Sequence, residues 1–187
     1  MRRSAPVLKA MTELVKLFTQ IAVLRRGPQD LPASMLLLVL TVVAYLAVNL
    51  LLNALLPPAN AAELRSYPAQ LLLDTAFTLV WYVVLLRLAG RPERTLQTST
   101  AVFGFQIVLA PLLFFSSWLW PRFAQDTTWG VPVALFAIVV GVWLIAANSH
   151  IVKAALEWSG AVSVVLVILQ ILAGLLLQRQ LFSVPQG

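Results

Sequence analysis

The sequence contains no cysteine, a single histidine and only 11% charged residues. Without cysteine there is no disulfide, no thiolate metal site, no iron–sulfur cluster and no cysteine nucleophile. One histidine, His150, cannot form a dyad, and without cysteine or nearby carboxylates it cannot build a standard metal site. The stretches GxGxxG, HExxH, GxSxG and the phosphate loop are also missing. The expectation is a protein that is not an enzyme and that carries no cofactor and no metal.

The shortage of charge is the most informative lack, because soluble domains carry about 25% charged residues. Here 60% of the 187 residues are hydrophobic and the mean hydropathy is +0.90. A soluble fold cannot hide that much apolar surface. The fold class expected is all-α: a helix bundle with the lipid bilayer as its first partner. The net charge of +6 could suggest nucleic acid, but the basic residues stand at the ends of apolar runs and are not interleaved with aromatics on one face. They read as orientation signals, and no nucleic-acid partner is expected.

Residues 4–26 read as an amphipathic basic helix. Val7, Leu8, Met11, Leu14, Val15, Phe18, Ile21 and Ala22 follow the spacing of one helix face, with Lys9, Glu13, Lys16 and Gln20 on the other. Ser4 suits the N-cap, while Arg25, Arg26, Gly27 and Pro28 read as a stop. This front segment, residues 1–30, is expected to be cytoplasmic or interfacial. Lys9, Lys16, Arg25 and Arg26 are its candidate contacts with anionic headgroups or a partner. The same face could instead pack on the protein's own bundle. It shows no short continuous apolar core with a small-residue cleavage site, so the first spanning helix is expected to direct insertion.

Residues 31–187 hold five apolar runs, each near the roughly 20 residues a spanning helix needs: about 31–56, 69–88, 100–120, 131–149 and 159–177. Pro57 and Pro58, Gly90 to Pro92, and Pro121 with Arg122 punctuate them. The last two are separated by residues 150–158 and read as a tight antiparallel hairpin, since one merged helix would be twice the bilayer's thickness. Ten basic residues (Arg2, Arg3, Lys9, Lys16, Arg25, Arg26, Arg87, Arg91, Arg94 and Lys153) then fall on one side, against Arg65, Arg122 and Arg179 on the other. That bias places the N-terminus in the cytoplasm and the C-terminus outside. Trp118, Trp120, Trp129 and Trp158 lie near the expected interfaces.

Two stretches carry a resemblance. One is Gly90-Arg91-Pro92-Glu93-Arg94-Thr95-Leu96-Gln97-Thr98, followed by Phe103-Gly104-Phe105 and a mid-helix Pro111. The other is Trp143-Leu144-Ile145-Ala146-Ala147-Asn148-Ser149-His150, then Lys153-Ala154-Ala155. With them, roughly residues 69–175 resemble the Yip1 domain family. The resemblance implies a five-helix membrane protein with a cytoplasmic N-terminal segment and a C-terminus on the far side. The chain lacks the longer soluble N-terminal region of the eukaryotic members and looks more like the bacterial ones. That implies a bacterial inner membrane and no vesicle-trafficking role.

Polar residues inside the spans are where function can reside, because they are costly in hydrocarbon. Tyr45, Asn49 and Asn53 are spaced by four, as are Gln70, Asp74 and Thr78. With Gln170 they are expected to form one cluster in the outer half of the bilayer. Asp74, the only acidic residue well inside a span, could bind a cation or a proton. Alternatively Asn49, Asn53, Gln70 or Arg65 holds it and it fixes helix packing. His150, next to Lys153 and Glu157 that can pair at i, i+4, reads as a solvated turn residue. The leading expectation is a non-enzymatic scaffold or accessory subunit that binds a membrane-protein partner or a second copy. The alternative is a small transporter or lipid-handling protein with a polar cavity around Asp74.

Overall fold

The computed structural model describes residues 4–57 and 61–182, with side chains described from 11–57 and 64–182. Among these residues the chain is helical and has no strand. Six helices follow in order: α1 (Ser4–Ala22), α2 (Met35–Leu55), α3 (Ala61–Leu88), α4 (Thr95–Phe123), α5 (Gly130–Leu156) and α6 (Gly160–Phe182). The last five are long and apolar enough to cross a membrane. At 1.5 Å per residue, the 21 residues of α2 span about 31 Å, close to a bilayer's hydrocarbon thickness.

Helix α2 is inside out relative to a helix of a soluble bundle. The buried residues of α2 are Leu38, Thr41, Tyr45, Asn49 and Asn53, so its inward stripe is mostly polar. Its outward face is Met35, Leu36, Val39, Leu40, Val43, Leu50, Leu51 and Leu55, all exposed. In the most apolar stretch of each of the five helices no more than 33% of the residues are buried. A water-soluble surface does not offer contiguous apolar area on this scale. The chain is an integral membrane protein.

Helix α4 is the axis of the bundle. Residues 98–105 are buried without a break, which a helix achieves only when neighbours surround it; α1, α2, α3 and α5 all pack against it. The neighbours meet it through Tyr45 on Phe103, ring centroids 5.1 Å apart, and through a core of Ile21, Tyr82, Leu86, Phe105, Ile151 and Leu156. A polar clasp closes one end. Arg91 and Arg94 each donate to the Glu157 carboxylate at 2.6 Å, and Arg94 also reaches the Ala154 and Ala155 carbonyls at 3.1 Å. Cations at the C-terminal carbonyls of α5 favour its dipole.

Several helix ends differ from the sequence expectation. Helix α1 stops at Ala22, not residue 26: Leu24 adopts φ 63, Arg25 N–H donates to Gln20 O and Leu24 N–H to Ile21 O. That is a Schellman stop with leucine where glycine is usual. Helix α2 begins at Met35 because Ser34 caps it, its Oγ accepting from Leu37 N–H at 3.3 Å. Helix α3 begins two turns before Ala69 and runs through Pro68, which removes only one backbone bond; Gln70 Nε2 donates to Ser66 Oγ across the same turns at 2.9 Å.

Helix α4 likewise continues through Pro121 to Phe123, with Arg122 donating to Trp118 O at 2.8 Å. Helix α5 runs to Leu156 and not to residue 149, so the connection is a short turn at Glu157, φ 58. His150 is therefore a helical residue; its Nε2 lies 3.0 Å from the Arg26 carbonyl, to which it can only donate. Glu157 pairs with the two arginines and not with Lys153.

Candidate functional site: a polar cavity inside the bundle

Four helices place polar side chains around one half-open cleft of about 190 Å³, whose remaining lining is apolar and includes Phe77, Leu144, Ile171 and the exposed Leu175. Helix α3 supplies Asp74 and Thr78, α4 supplies Gln106, α5 supplies Asn148, and α6 supplies Gln170 and Gln178. The levels agree. Asn148 lies eight residues before the end of α5, and Gln170 ten residues after the start of α6. At 1.5 Å per residue both are about 12–15 Å from the clasp end, near the middle of the bilayer. Gln178, two turns further along α6, carries the cavity toward the opposite end.

The electrostatics of the cavity are those of unsatisfied acceptors. Asn148 is 6% exposed and Gln170 9% exposed, and the Oδ1 of one and the Oε1 of the other have no hydrogen-bond partner among the described residues. Asp74 makes no hydrogen bond or ion pair among the described residues. Buried acceptors left in this condition are costly, by about 1–3 kcal/mol each for neutral groups. Two of them, with the half-buried Asp74 carboxylate on the same lining, mark a place where a hydrogen-bond donor is favoured.

The expected cluster is therefore only partly assembled here. Asp74 and Gln170 do share a space. Asn49 is buried on α2 and donates Nδ2 to its own helix at Tyr45 O, 2.8 Å away. Gln70 is held by Ser66, and Asn53 is buried on the α2 stripe away from the cavity lining. No hydrogen bond or ion pair joins Asn49, Asn53, Gln70 or Arg65 to Asp74 among the described residues, so none of them holds the carboxylate. Gln106 and Asn148 are the lining residues that sequence reading missed. Gln106 stands as the lone amide within the apolar run of α4, which is a visible signal. Asn148 was hidden by the adjoining Ser149 and His150, which together imitate a helix end.

The basic residues of the front segment lie elsewhere. Lys16 and Arg25 are exposed, Arg26 pairs with Asp30 at 3.1 Å, and the Lys9 side chain lies outside the described residues. The end of α1 is fastened to the bundle: Phe18, Ile21 and Ala22 are buried, and Trp143 Nε1–H donates to Ala22 O at 2.7 Å. Gln97 Nε2 donates to Leu31 O at the same distance. Phe18 covers Gly104 so closely that any β-carbon there would collide with its ring. One turn earlier, Met11 and Val15 remain about 60% exposed.

No protein family matches this chain, and neither a curated protein nor a solved structure matches it.

Proposed function

We propose that the protein is a small, non-enzymatic transporter or lipid-handling membrane protein whose working centre is the polar cavity around Asp74. One observation carries this reading: Asp74, Asn148 and Gln170, from three different helices, line the same cleft between the spanning helices, and the two amide oxygens have no hydrogen-bond partner among the described residues. Polar groups at that depth are retained against a cost, and they mark paths for ions or polar molecules.

The orientation proposed is N-terminus inside and C-terminus outside, in a bacterial inner membrane. In support, the Arg26 segment, the Arg91–Arg94 loop and the end of α5 near Lys153 meet at one end of the bundle, which brings Arg25, Arg26, Arg87, Arg91, Arg94 and Lys153 toward that end, the pattern the positive-inside rule favours for a cytoplasmic side.

The absence of cysteine from the sequence makes a clean test available. A Gln178→Cys variant in proteoliposomes should react with a small, charged methanethiosulfonate reagent, and a Leu169→Cys variant on the lipid-facing side should not. An unreactive thiol in folded Gln178→Cys protein would mean a closed, dry space and would remove this reading.

A scaffold or accessory-subunit role rests on a different observation. Met11 and Val15 extend an uncovered apolar strip beside the docked end of α1, with the exposed Lys16 on its flank. This suits burial of the helix in the membrane interface or against a membrane-protein partner or second copy. Extraction in mild detergent should return a partner or a self-associated complex that is lost in a Met11→Glu, Val15→Glu double variant; a monomer alone would end this reading.

A further inference from the structure

We infer that a groove between α4 and α5, at the end of the bundle far from the clasp, holds one acyl chain of an anionic phospholipid whose phosphate is bound by Arg122. The site is separate from the cleft at Asp74 and does not depend on how that cleft is used.

The groove has the shape and chemistry of a chain site. It is half-open, measures about 540 Å³ and is lined only by apolar side chains. Phe115, Leu119 and Phe123 line it from α4, Val133 and Phe136 from α5, and Trp129 stands where α5 begins. Phe115 and Phe123 are eight residues apart on one helix, so the groove runs about 12 Å along the helix axis, the direction that lipid chains take. Its volume lies within the roughly 300–1,000 Å³ of small-ligand pockets. A partner helix, about 10 Å across, would fill it within about 7 Å of its own length. A single chain is the better fit.

Helix periodicity puts a cation at the mouth. Arg122 follows Phe115 by seven residues, two turns, and therefore stands on the same face of α4 near its end. Its exposed guanidinium lies 4.3 Å from the centre of the Trp118 ring. Trp118 stacks on Phe115 at 6.3 Å, and Phe115 meets Phe136 edge-on at 6.0 Å, so an aromatic wall joins the cation to the groove. The phosphate and the chain need not meet at one point, because glycerol joins them.

The charge of Arg122 is uncommitted. One N–H of Nη1 donates to Trp118 O at 2.8 Å, and no carboxylate pairs with the guanidinium among the described residues. Asp126, one turn further on, accepts from the Thr128 and Trp129 amides at 2.8 Å instead. The remaining guanidinium donors suit a phosphate. A headgroup of net negative charge is favoured over a zwitterionic one, whose own ammonium competes for the anion. A second copy seated on this face about a two-fold axis would bring two Arg122 cations together, which a lipid anion avoids.

The test places p-benzoylphenylalanine at Phe136 in the full chain, in nanodiscs of equal phosphatidylglycerol and phosphatidylcholine. Illumination followed by mass spectrometry reads which lipid is attached. The same probe at the exposed Leu176 of α6 reports bulk lipid. Phosphatidylglycerol should be enriched about fivefold at Phe136 relative to Leu176. Arg122→Gln should bring the two positions level, and about 1 M salt should shrink the enrichment with Arg122 in place. The salt comparison decides the matter if the variant does not fold.

Equal ratios at the two positions, an enrichment that survives both Arg122→Gln and high salt, or no lipid adduct at Phe136 would overturn the inference. Attachment to a second copy of the chain in place of lipid would overturn it in favour of a dimer interface.

Discussion

Asp74 and Glu157 show how differently a carboxylate behaves in two settings of one molecule. Glu157 sits at the clasp with two arginine donors at 2.6 Å, which hold its carboxyl down to about 2 and push the Arg91 guanidinium up in turn. A depressed acid lends stability that is fully present above its ordinary value and disappears as pH falls through the folded one. The clasp should thus act fully above about pH 4.5 and fade toward pH 2. Comparing unfolding of the native chain and Glu157→Gln across this window checks it: a difference at pH 6 that vanishes near pH 2, and that shrinks in high salt because the pair is exposed.

Asp74 has no such partner, and its replacement should have the opposite sign. Asp74→Asn should leave the bundle as stable or more stable by about 1–3 kcal/mol, because an uncompensated charge leaves the bilayer. A purely packing role for Asp74 predicts a loss of about 0.6–2 kcal/mol instead, the worth of an interhelical hydrogen bond. Denaturant unfolding of both forms in micelles distinguishes the two signs.

At the scale of elements, the number and kind of helices were legible because each apolar run is long enough to announce itself. Their ends were not, and the reason is consistent. Hydropathy marks where a helix faces lipid, whereas α5 continues for two turns in which Ala147, Asn148, Ile151, Val152, Ala155 and Leu156 face the protein at three- and four-residue spacing. Pro68 and Pro121 look like breakers, yet a helix losing one bond to a proline survives when the turns on either side hold. Leu24 as the left-handed terminator of α1 has no sequence signature, since glycine or asparagine is the usual choice there.

The cavity was half legible for the same reason. Asp74 and Gln170 stand out in apolar runs, but which amides meet them depends on helix rotation, and Asn49 and Gln70 turn toward their own helices. The junction of α1 and α4 gives an element-scale prediction. Gly104→Ala should displace Phe18 and release the end of α1. Hydrogen exchange should rise at residues 18–22 while the α5–α6 pair stays protected. Trp143→Phe should loosen the same end more mildly, by about 1 kcal/mol for the lost bond to Ala22 O.

For the whole molecule, the exposed apolar faces of five helices make the bilayer the solvent for most of the surface and leave only loops, α1 and the cleft for recognition of anything but lipid. The proposed orientation, with the clasp end inside, is tested by labelling. Glu93→Cys in spheroplasts should resist an impermeant maleimide until the membrane is opened, and Gln125→Cys should react from outside at once; the reverse pattern would invert the bundle.

The central claim is that a polar, water-reachable cavity lies mid-membrane at Asp74. Its most direct measurement is an experimental structure in lipid nanodiscs, at a resolution that shows ordered solvent. The account predicts solvent density within hydrogen-bonding distance of Asp74. A closed space in which Asp74, Asn148 and Gln170 turn to partners of their own, with no density between them, would contradict it.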